Sequence, residues 1–154
     1  MQTLLVAIVT WLSINYSLPA VEIMPRVRFA QPIDIVYVRH GASTSELQRR
    51  LAAAHDALPA VNRREVVAVY DSRSRTILLP VGWTARTPAE LSMLVHEVVH
   101  YLQDIAQVRY PCPQEREALA YEAQERWLDQ FGTSLEAEFD IDRLTLLVTT
   151  RCGM

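Results

Sequence analysis

His96-Glu97-Val98-Val99-His100 places two imidazoles four residues apart with a carboxylate between them. On a helix, residues i and i+4 share a face, so both rings can reach one divalent ion. Glu97, beside them, is placed to take a proton from a water at that ion. The competing reading of the same five residues is two surface histidines on an ordinary helix.

A zinc ion that keeps an open position for water wants three protein ligands. The helix expected after the motif offers Glu115, Glu117, Glu122 and Glu125. At about 100° per residue, with Glu117 at zero, Ala120, Tyr121, Gln124, Trp127, Leu128 and Phe131 fall within about 80° of it, on the inward stripe. Glu115, Glu122, Arg126 and Asp129 cluster on the opposite, solvent side, and Glu125 lies between. Glu117 is therefore the acid on the buried stripe, where a carboxylate needs a partner. A short link reverses the chain, so Glu117, about one turn into the returning helix, can lie near the level of His100. One Zn²⁺ held by His96, His100 and Glu117 is the expected cofactor. Its alternative is a Glu117 that only stabilises the first helical turn through the dipole. Asp104 is a candidate to orient an imidazole N–H. Tyr121, beside Glu117, could donate to a developing oxyanion or simply pack in the core.

The elements that must carry these residues are legible in part. Thr87-Pro88-Ala89-Glu90 is a capping box with proline at the first helical position, opening a helix to about residue 107. Leu91, Leu94, Val95, Val98, Tyr101, Leu102 and Ile105 form its apolar stripe. Ser92, His96, His100, Gln103 and Gln107 share the other side, expected to open to a cleft. A second helix is expected over 113–131, stopped by Gly132. Residues 134–152 lean towards helix, with Asp142 as a cap, against β-branched residues that argue strand.

Upstream, 21–32 reads as a linker and 33–38 as a strand. Ser43-Thr44-Ser45-Glu46 is a capping box opening a helix to about residue 58, ended by Pro59. Residues 65–70 and 76–79 read as a β-hairpin around Asp71-Ser72-Arg73-Ser74.

The chain has 154 residues, half of them hydrophobic, and a net charge of −3 without a basic run. This is a globular chain of single-domain length, and nucleic acid is excluded as a partner. All 15 basic residues are arginine, to which no function is attached. The first twenty residues are uncharged. Residues 4–14 are an apolar run too short to span a bilayer, which fits a secretory signal cleaved after Ala20. The n-region lacks Lys or Arg, and an uncleaved anchor or a buried N-terminal helix are the alternatives. An exported chain would be periplasmic or secreted, with no stable membrane span after processing. An uncleaved one would be membrane-anchored. Cys112 and Cys152 are a natural disulfide pair if the chain is exported.

His96–His100 followed by a short link and E-A-L-A-Y over 117–121 resembles the gluzincin pattern, H-E-x-x-H with a glutamate on the next helix. Residues 70–152 also resemble a small bacterial family with an L-V-H-E-x-V-H-x-L-Q core, here residues 94–103. The resemblance implies zinc on His96, His100 and Glu117, with Glu97 as base. It implies an α+β, mainly helical zincin-like domain over 21–154, with a small sheet beside the motif helix. The function expected is a metallopeptidase-like hydrolase with a peptide or protein substrate. A non-catalytic metal- or partner-binding module on a degenerate zincin fold is the alternative. In zincins the strand beside the motif helix often holds an extended peptide, and residues 76–79 are the candidate. Arg39-His40-Gly41 resembles the histidine-phosphatase signature, which needs a strand-end histidine and a second one far downstream.

Overall fold

A computed structural model describes residues 1–41 and 68–153. The expected helix over 46–58 lies outside them. The chain is mixed α+β, mainly helical, and divides into two compact units, Met1–Pro25 with Thr84–Met154, and Arg26–Trp83.

The second unit holds a three-stranded sheet. Strand β1 is Arg26–Ala30, helix α2 is Pro32–Arg39, β2 is Val69–Asp71 and β3 is Thr76–Pro80. The order is β1-β3-β2, with β1 parallel and β2 antiparallel to β3. The hairpin turn forms as its chemistry requires. Asp71 Oδ1 accepts from Arg73 N at 3.1 Å and Oδ2 from Ser74 Oγ at 2.6 Å, while Arg75 takes a left-handed φ of 51°. Two expectations shift here. The linker contains β1, and the expected strand over 33–38 is helical. Pro32 at the start and Asp34 in the first turn favour a helix, and Ile35 is its one buried residue. β-Branched composition misled because it reports a half-buried surface rather than a backbone preference. His40 consequently caps a helix instead of ending a strand, which removes the context of the phosphatase signature. β3 is also paired along both edges, so it cannot accept an added peptide strand.

The first unit is helical. Helix α1 is Gln2–Tyr16, α3 is Pro88–Ile105, α4 is Pro113–Asp129, α5 is Leu135–Phe139 and α6 is Arg143–Thr149. The segment expected as a signal is α1, and it buries Leu5, Ile8, Val9 and Leu12. Trp11 meets Trp127 of α4 edge-to-face at 5.3 Å. Among the described residues no helix is long and apolar enough to cross a membrane. The tail is helical, as Asp142 implies, its carboxylate accepting from Thr145 N at 2.7 Å. Cys112 and Cys152 are bridged, their Cα atoms 5.7 Å apart, which ties the chain's end to the start of α4.

Candidate metal centre

Helix α3 begins with a complete capping box. Glu90 N donates to Thr87 Oγ1 at 3.1 Å, and the Glu90 carboxylate accepts from the N–H groups of Thr84, Arg86 and Thr87. Every residue from Ser92 to Gln103 is buried. The polar side of α3 is thus not open to a cleft as expected. It is covered by α4, which packs extensively on α3. The left-handed Gln107 ends α3, and the link turns the chain into α4 at Pro113.

That reversal brings the three expected ligands together. His96 Nε2 lies 3.1 Å from Glu117 Oε2, His100 Nε2 lies 3.3 Å from Glu117 Oε1, and the two Nε2 atoms are 3.2 Å apart. Donors about 2.05 Å from one tetrahedral centre stand about 3.3 Å apart. The 3.2 Å between the two Nε2 atoms is close to that spacing, and the carboxylate of Glu117 faces both, so the N,N,O donor set suits a small divalent ion. The histidine side chains are 10% and 9% exposed and Glu117 is 35% exposed, so the glutamate is the solvent-facing member.

The trio is electrostatically coupled. Burial alone would lower the His100 pKa. The hydrogen bond and charge of Glu117, with the charge of Glu97, outweigh burial and the opposing Arg116, and hold it above its ordinary 6.5. Burial would likewise raise Glu117, but its hydrogen bonds to His100 and His96 and their charges hold its carboxyl well below the usual carboxylate range.

Glu97, the expected base, is 5% exposed. The Tyr121 ring packs edge-on to His96 with centroids 4.7 Å apart. Tyr121 also lines a cavity of about 570 Å³ with Tyr16, Glu122, Arg126 and Leu146. Of the expected inward stripe of α4, Ala120, Gln124 and Leu128 are buried. Phe131 is 52% exposed, because the helix stops at Asp129 and helical register no longer applies to it.

Sequence reasoning missed the groups behind the imidazoles. His100 Nδ1 lies 3.0 Å from Gln103 Oε1, and His96 Nδ1 lies 2.9 Å from Gln124 Oε1. The available signal was Gln103 on the same side of its helix as the two histidines and Gln124 on the inward stripe of the next, polar side chains that must find partners when buried.

The whole chain, residues 1–154, matches the family described as Domain of unknown function (DUF6647). It belongs to that family. No curated protein and no solved structure matches it. A second group of metal-ligand types, Cys112, Glu115 and Cys152, lies at the disulfide, whose sulfurs are spent on each other.

Proposed function

We propose that this DUF6647 chain is a zinc-dependent hydrolase of gluzincin type that cleaves an amide, a peptide bond by preference. His96, His100 and Glu117 would hold one Zn²⁺. The observation that carries the reading is the convergence of two Nε2 atoms 3.2 Å apart on one carboxylate, His96 on Glu117 Oε2 at 3.1 Å and His100 on Glu117 Oε1 at 3.3 Å. When bound, zinc would polarise the scissile carbonyl and make a water acidic. Glu97 would serve as the base for such a water and return the proton to the leaving amine. Tyr121, whose ring packs against His96, would donate its O–H to the oxygen that gains charge. The Cys112–Cys152 bridge supports a periplasmic or secreted location, since disulfides persist in oxidising compartments.

The second reading, a metal-binding or partner-binding module on a degenerate zincin fold, draws support from burial. His96, Glu97 and His100 are each under a tenth exposed, which restricts the approach of an extended peptide.

Metal analysis and peptide cleavage separate the two. Purified protein is expected to carry one zinc per chain, lost in His96→Ala, His100→Ala and Glu117→Ala. Glu97→Ala is expected to keep zinc and lose turnover by about 10²- to 10⁴-fold, the usual worth of a general base. Stoichiometric zinc without turnover on a broad peptide library favours the module. Absence of zinc from the wild type ends the hydrolase reading and the metal-binding form of the module.

A further inference from the structure

Both imidazoles of the trio turn their second nitrogen to a glutamine that is itself held on both sides. Gln124 Oε1 faces His96 Nδ1, and Gln124 Nε2 donates to Ser92 Oγ at 3.2 Å, which donates to Ala89 O at 2.8 Å. Gln103 Oε1 faces His100 Nδ1, and Gln103 Nε2 donates to Arg116 O at 3.1 Å. Arg116 answers with Nε to Gln103 Oε1 at 3.4 Å and an Nη to His100 O at 3.1 Å. Gln103 and Gln124 are 2% and 3% exposed, so neither amide can turn to solvent.

An amide oxygen only accepts, so each facing ring nitrogen must carry the proton. In the neutral imidazole this leaves the lone pair on Nε2. The two Nε2 lone pairs and the Glu117 carboxylate then converge as acceptors with no donor among them, an arrangement that a cation satisfies. The glutamines also cross between helices. Gln103 of α3 grips the backbone of Arg116, the residue before Glu117. Gln124 of α4 grips Ser92 and His96 of α3.

We propose that Gln103 and Gln124 are the positioning residues of this centre. They fix both rings as the Nδ1–H tautomer, aim both Nε2 atoms at one point, and lock Glu117's helix in register with the rings. The proposal rests on the metal-centre reading. Both groups are neutral, so Glu117 remains the only negative ligand and a bound divalent ion keeps a net positive charge towards its open position.

The test is zinc affinity, by competition with a chromophoric chelator, alongside long-range ¹H–¹⁵N spectra of the histidine rings in the zinc-loaded full chain. Gln124→Met removes the acceptor at near-constant volume and is expected to weaken zinc binding about 10- to 100-fold, the usual cost of losing such a partner. Gln124→Glu keeps an oxygen at the same place and is expected to restore most of that loss, which a merely space-filling role would not predict. Wild-type spectra are expected to show a slowly exchanging proton on Nδ1 of His96 and of His100, a measurement that needs no variant to fold. Equal zinc affinity in wild type and Gln124→Met, or rings bound to the metal through Nδ1, overturns the proposal while leaving the metal centre standing. If Glu117→Ala and His96→Ala bind zinc as tightly as wild type, the centre itself is wrong and the proposal falls with it.

Discussion

At the residue scale, His100 and Glu117 determine how the centre meets protons. The folded metal-free protein holds the His100 pKa above 6.5, so the stability it contributes is fully present below that value and is lost as pH rises through the folded value. Glu117 is held below its ordinary 4.5, so its contribution is present above 4.5 and is lost as pH falls through the folded value. The two shifts describe largely one interaction. It is strongest where both hold, from about pH 4.5 to 6.5. Thermal melts of the metal-free protein are expected to show their maximum there, and Glu117→Gln to flatten it. An unchanged profile in Glu117→Gln would contradict the coupling. Zinc must displace the His100 proton, so binding is expected to weaken on acidification and to release protons into buffer near pH 6. Glu117 was legible in the sequence because helical angle separates it from Glu115 and Glu122. Gln103 and Gln124 were not assigned roles, because a glutamine's purpose depends on what stands opposite it, and that lies on the other helix.

At the element scale, α3 is fixed at its start by Thr87 and Glu90. Thr87→Ala removes the acceptor of Glu90 N and is expected to cost about 1 kcal/mol in chemical denaturation. Helix α1 bears on processing. Its Leu5, Ile8, Val9 and Leu12 are buried, and each such side chain contributes on the order of 2 kcal/mol. A chain beginning at Val21 is therefore expected to melt well below the full chain or to aggregate. Equal stability of the two would show that α1 is dispensable to the unit it packs in. The intact mass of exported protein then tells whether cleavage after Ala20 occurs. Capping chemistry is local, which is why α3 and the tail were anticipated from sequence, as was α4 from Pro113 at its start and Gly132 beyond its end. α2 and β1 were not, because a short apolar segment carries the same β-branched residues whether it packs as a helix or a strand.

At the scale of the whole molecule, the Cys112–Cys152 bridge joins the chain's end to the N-cap of α4, five residues before Glu117. Closing a loop of this length is worth about 3–4 kcal/mol in the loop-entropy model. Cys152→Ser is expected to lose up to that much in denaturant titration, with a free thiol then detectable at Cys112. An unchanged midpoint would mean the bridge constrains little of the unfolded chain. Read alone, the sequence determined the candidate ligand residues, their helical spacing and the caps at Thr87 and Asp142, because these depend on residues within a few positions of one another. Only tertiary structure decided that β3 is a central strand closed to a peptide, that α3 is covered on its polar side, and that two glutamines stand behind the rings. Those outcomes depend on which distant segments meet, and hydrogen-bond partners and burial exist only after they have.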